Sequence, residues 1–241
     1  MTGAALRADP DDEEVADAST PVAIAPAPQR AANVDNSVHW GALAEQASLF
    51  LTIEHGFRMA TDPVTRERAG GSFVGGYVAS LTNLHGWGDG DPFLVNYVGH
   101  PIQGAIAGYI WVRNDPRYRD ARLGRNSHYW KSRLRAMAFS AVYSEAFEIG
   151  PFSEATIGHV QAYPPQTGFV DQVITPTVGT GWMVAEDVVD KYVIRPIEAH
   201  TSNRWIKLFA RALLNPSRSF ANCMAFEPPW SRQDRGGVMG R

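Results

Sequence analysis

Asn96-Tyr97-Val98-Gly99-His100-Pro101-Ile102-Gln103-Gly104-Ala105-Ile106-Ala107-Gly108 is the stretch on which the reading of the chain turns. No Asp, Glu, Lys or Arg occurs from Pro92 to Val112, yet Asn96, His100 and Gln103 sit inside that run. A charge-free run of this kind belongs in an interior, and polar side chains placed there need hydrogen-bond partners. Pro101 suits the first turn of a helix. Asn114-Asp115-Pro116 closes it, so a helix is predicted from His100 or Pro101 to Arg113. Gly104 and Gly108 are four residues apart with Ala105 and Ala107 between them, a small-residue face on which another helix can pack closely.

Working outward, apolar residues at near-helical spacing from Trp40 to Phe57 predict a helix over about 37–58. Asp62-Pro63 starts a second, which continues into the small-residue run containing Gly70, Gly71, Gly75, Gly76 and Ser80. Trp87-Gly88-Asp89-Gly90-Asp91-Pro92 is a turn, where Asp89 and Asp91 solvate the chain or cap the next helix. Further oxygen ligands at calcium-loop spacing are missing. A fourth helix is predicted from Ser127 to Gly150-Pro151, with Glu145 and Glu148 on one face near its end. Carboxylates there oppose the helix dipole, which suggests a partner or a role. Ser153 caps a short element, and Asp171 is the single acid within Gly168 to Pro176. A fifth main helix over 180–195 carries Asp187 and Lys191 at ion-pair spacing on its polar side, and a last one spans 203–214 up to Asn215-Pro216.

No alternation typical of strands appears. The expected fold is therefore all-α, a compact bundle of about five to seven helices with close small-residue packing. Its parts are a disordered Ala/Pro/Asp-rich tail over 1–35, a helical domain over 36–215 and an irregular C-terminal tail over 216–241. The net charge of −3 is concentrated in that first tail, and the rest is nearly balanced, so no nucleic-acid partner is expected. Cys223 is the only cysteine and no internal disulfide can form. The chain opens without a secretory signal pattern and contains no apolar run long enough for a standard spanning helix. Arg117, Arg119, Arg122 and Arg125 make the segment after the third helix basic, either as a solvated loop or as a contact for anionic lipid headgroups.

The succession Asn96-x-x-x-His100-Pro101-x-x-Gly104, then Glu145-x-x-Glu148 with Pro151-x-Ser153, then Asp171-x-x-x-Thr175-Pro176-x-x-Gly179 resembles a bacterial envelope family known only as a domain of unknown function. More distantly, the His, Glu, Asp order is similar to VanZ-like proteins. The chain departs from the pattern by inserting Glu154 to Phe169. The resemblance implies a helical, membrane-associated protein of the cell envelope, with membrane lipid or an envelope protein as partner. A cytoplasmic location is the alternative.

Two functions follow as expectations. In the first, His100, Glu145, Glu148 and Asp171 form a buried polar network that fixes helix register in a structural or interaction protein. In the second, the same four residues are catalytic in a metal-dependent hydrolase acting on a lipid-linked substrate at the membrane. His100, Glu148 and Asp171 would then be the metal ligands and Glu145 an orienting group.

Overall fold

The computed structural model describes residues 36–159 and 168–238, and every regular element among them is helical. The tail expected over 1–35 and part of the Glu154–Phe169 insertion lie outside the described residues. α1 (Trp40–Thr61) starts where the His39 backbone N–H donates to the Asn114 carbonyl at 2.9 Å. α2 (Pro63–Arg68) follows directly, because the Asp62 carboxylate accepts from Val64 N and Pro63 occupies the first turn. α3 (Phe73–Asn83) is a separate helix: Gly70 adopts φ +101°, which ends the preceding helix, and Ser72 caps the new one through Gly75 N.

A π-helical turn, Val95–Gly99, leads without a break into α4 (His100–Asn114). α5 (Ser127–Glu148) is capped by Asn126, and α6 (Glu154–Ile157) by Ser153 in a reciprocal capping box with Thr156. α7 (Val170–Val189) passes through a second π turn, Asp190–Ile194, into α8 (Arg195–His200). α9 (Arg204–Leu213) and α10 (Pro216–Met224) complete the order. Each π turn precedes a proline in the next helix, Pro101 or Pro196. A proline removes one ladder hydrogen bond and crowds the carbonyl four residues back, and widening the preceding turn relieves both.

α4 is the axis of the assembly. Only Ile102 and Arg113 escape full burial along it, and it packs against α1, α5, α7 and α10. The glycines explain the close approach to α7. A Cβ on Gly104 would collide with the Thr175 carbonyl, one on Gly179 with the Gly104 backbone, and one on Gly108 with the Met183 sulfur. Aromatic rings fill the opposite side, where Phe50 stacks on Tyr143 at 5.2 Å between ring centres and meets Phe220 edge-on at 5.6 Å.

Several boundaries differ from those expected. There are more helical segments than five to seven, because glycine and the π turns divide what periodicity alone reads as continuous. The fifth main helix begins at Val170 rather than 180, since Pro176 is accommodated, buried, inside α7, where its neighbour Thr175 meets Gly104 of α4. The stretch from 216 does not begin as an irregular tail. Pro216 opens α10, whose first N–H groups at Ser217 and Arg218 donate to the Glu186 carboxylate at 2.9 and 3.3 Å. Asp187 also does not lie on an exposed polar side. It is buried, accepting from Tyr129 and Arg133 on α5 at 2.8 Å each and from Arg218 on α10 at 2.7 Å.

Candidate metal centre

His100 lies at the junction of the π turn and α4, one turn before the glycine contact with α7. That contact brings α7 close enough for Asp171, in its first turn, to face the imidazole: Asp171 Oδ2 is 3.5 Å from His100 Nε2. Glu148 ends α5, and its Oε1 is 3.6 Å from His100 Nδ1. One ligand atom from each of the three lies within 4.8 Å of the other two, and all three residues are buried. A tetrahedral site with bonds of about 2.1 Å has ligand separations of about 3.4 Å, so a cation would draw these side chains inward by roughly an ångström. Glu145 does not join them. It is half-buried on α5, and burial alone pushes its carboxyl up.

The orientation of His100 is set from α4 and α1. His100 Nδ1 is 2.8 Å from Gln103 Oε1, an oxygen that can only accept, so this contact selects the tautomer with the proton on Nδ1. The Gln103 side chain also bonds to Glu54, which accepts from the Tyr143 hydroxyl at 2.6 Å. The lone pair of Nε2 is thereby left on the Asp171 side. Histidine ligands are commonly held this way, with the far ring nitrogen bonded to a fixed acceptor. Burial lowers the His100 pKa, against the opposing pull of Gln103 and of Asp91 and Asp89, and this favours the neutral ring a metal requires.

Asp89 and Asp91, expected to solvate a turn or cap the next helix, belong to this centre. The Phe169 and Val170 N–H groups donate to the carbonyls of Gly86 and Trp87 at 3.1 and 3.0 Å, fixing that turn against the start of α7. Gly86 and Gly90 allow its path with φ of +79° and +90°. Asp89 is buried and accepts from Asn96 Nδ2 at 2.7 Å and from the Asp91 N–H at 3.0 Å. Burial works to raise its pKa, but hydrogen bonds from Asp171, Asn96 and the backbone outweigh it and hold the group low. Asp171 takes the opposite course: burial first, then Asp89, push it up to about 10. Glu148 is raised well above the carboxylate range, by burial and then by Glu154, Asp171, Asp91 and Asp89.

Arg58, on α1, lies between Asp91 and Glu154 at 3.3 Å from each and 3.4 Å from Asp62. Burial opposes its charge, but these carboxylates outweigh burial and raise its pKa. Glu154 rises to about 7, chiefly by burial, with Arg58 pulling it back. The group thus holds Asp89, Asp91, Glu148, Glu154 and Asp171 against one arginine and one neutral histidine, a surplus of acid that a divalent cation would neutralise.

Comparison of the chain with protein-family models, curated proteins and solved structures gave no match.

His100 forms part of the wall of an open pocket of about 870 Å³. Its polar wall includes Glu54, Arg58, Asp91, Gln103 and Glu154, and the remainder is mainly apolar. Ile53, Phe57, Val64 and Leu94, all exposed, line the same pocket. Glu54, Arg58 and Glu154 were not singled out in the sequence. Helical spacing places Glu54 and Arg58 on one face of α1, and that was the one local signal available.

Proposed function

We propose that the protein is a hydrolase of the cell-envelope membrane surface, in which a divalent cation held by His100, Glu148 and Asp171 serves the cleavage of a phosphate ester or amide in an amphiphilic, lipid-linked substrate. The observation that carries this reading is the convergence of those three ligand atoms beside an apolar pocket large enough for an acyl or isoprenoid chain. The cation would supply a Lewis acid and an activated water at its open position. Glu154, in the pocket wall with a pKa of about 7, suits a general acid–base role. Arg58, in the same wall, suits stabilisation of negative charge developing on the substrate.

Membrane association is supported by apolar surface rather than by a spanning segment, since no described helix is long and apolar enough to cross a membrane. Phe57 and Leu94 are 69% and 70% exposed beside the pocket. On α9, Trp205, Ile206, Phe209 and Leu213 face outward, the arrangement of a helix lying in a membrane interface. A structural role for the same polar network is the second reading, and the burial of all three ligand residues favours it.

Metal-supplemented assays on detergent-dispersed phosphodiesters and amides with short and long alkyl tails test the proposal. Turnover that needs the cation, prefers the long tail and is lost in both His100→Ala and Glu154→Gln is expected. Absence of turnover with every metal, or turnover indifferent to His100, contradicts it.

A further inference from the structure

Beyond the end of α4 opposite His100, the balance of charge reverses. Arg113 is thirteen positions along the helix from His100, about 20 Å at the standard rise. There Arg113, Arg119, Arg133, Arg218 and Arg232 line a hollow of about 60 Å³ whose carboxylates are Asp120 and Asp234 alone. A second hollow of about 260 Å³ shares Ala121 and Arg218 with the first, and adds Arg122, Lys191 and Arg195 against Asp187 and Asp190. Cations therefore outnumber carboxylates in both walls.

Three of those four carboxylates are already committed, and the fourth, Asp120, is exposed. Asp187 holds Arg133 and Arg218, each at 2.7 Å. Asp190 holds Arg195 and Arg235, and Asp234 holds Arg195 and Arg122. One guanidinium group, that of Arg119, is left over, and a second, that of Arg232, is held mainly by neutral carbonyls. Arg119 is exposed, and its side chain makes no ion pair or hydrogen bond among the described residues. Arg232 is buried: its Nη atoms donate to the carbonyls of Pro229, Ser231 and Arg211, while its Nε makes no hydrogen bond and has Asp190 Oδ1 at 3.8 Å. Burial, followed by the charge of Arg218, pushes the Arg232 guanidinium down to about 9, against the opposing pull of Asp190.

We infer that these joined hollows bind a phosphate group, free or as a phosphomonoester, with Arg119 at the exposed side and Arg232 and Arg218 within. Several guanidinium forks converging on one small space match a tetrahedral dianion, which accepts from several donors at once. The smaller hollow has room for a few water-sized groups, which such an anion would displace. The group has two possible sources, soluble phosphate or the headgroup of a phosphomonoester lipid such as phosphatidic acid. The site is independent of the proposed metal centre.

The test is calorimetric titration of the full chain with inorganic phosphate at constant ionic strength. It is run alongside flotation with phosphatidylcholine vesicles containing or lacking phosphatidic acid. Saturable phosphate binding, weakened about tenfold by Arg119→Gln and unchanged by His100→Ala, is expected. Because Arg119 is exposed and unpaired, its replacement leaves the fold in place. Arg232→Gln, checked for helicity by circular dichroism, provides the second variant. Flotation that depends on both phosphatidic acid and Arg119 supports the inference with the lipid as source, and phosphate binding without it supports the soluble source. Failure of both arms in the wild type overturns the inference, as does binding by Arg119→Gln equal to the wild type.

Discussion

Gln103 and Glu54 hold the imidazole of His100 in one orientation, and Glu54 does so at a cost that depends on pH. Burial pushes its pKa from an ordinary carboxylate value up to about 8, against hydrogen bonds from Tyr143 and Gln103. The folded protein therefore keeps a proton that the unfolded chain releases near pH 4.5. Stability associated with Glu54 is fully present below pH 4.5 and falls as pH rises to about 8. The loss is on the order of 3 kcal/mol after allowance for partial exposure. Glu54→Gln is expected to flatten this fall and to be more stable than wild type at pH 8, as read from urea unfolding across the range. Parallel pH profiles for the two proteins would refute the assignment. A second residue tests the acid limb. Asp190 is held down to about 2, because hydrogen bonding from Arg235 and the charges of Arg218, Arg235 and Arg232 outweigh burial. Its contribution of about 2 kcal/mol is present above the ordinary value of 3.8 and is lost as pH falls through 2. Asp190→Asn should remove that loss while lowering stability at neutral pH. At this scale the sequence was informative for His100, Glu148 and Asp171, whose polarity stands out against apolar neighbours. It was silent on Asp89, Glu54 and Glu154, whose surroundings are ordinary in sequence and become buried only through tertiary contacts.

Helix packing depends on sites where no side chain fits. Gly104 and Gly179 meet backbone to backbone, so Gly104→Ala has no flexible neighbour to displace and must push α4 and α7 apart. We expect a loss of about 3 kcal/mol, the upper part of the range for overpacked cores, measurable as a lowered urea midpoint. Gly181→Ala, where a Cβ meets nothing within 4 Å, is the control and should be neutral or slightly stabilising. Asp187 joins α5, α7 and α10 through Arg133, Tyr129 and Arg218. Asp187→Ala strands two arginines and should cost 3–5 kcal/mol, on the order of that for breaking a buried pair. The small-residue face of α4 and the extent of α5 were legible because glycine spacing and a Gly-Pro stop act locally. The start of α7 was not, since Pro176 reads as a helix breaker until α4 supplies the packing that keeps it inside a helix.

Across the whole molecule, two centres of opposite charge lie at the two ends of α4. The acidic one is buried beside an apolar pocket, and the basic one surrounds two small hollows. The all-helical class follows from local pattern, whereas the juxtaposition of Glu148 with Asp171 required α5 and α7 to pack on a common axis. The central claim is that the acidic end is a cation site. Metal content, measured by plasma mass spectrometry after equilibration with zinc, manganese or magnesium and removal of free ions, tests it most directly. The account predicts about one tightly held ion per wild-type chain for one of these metals, and at least a tenfold reduction in folded His100→Ala and Asp171→Asn. Equal and negligible metal in all three proteins would contradict it.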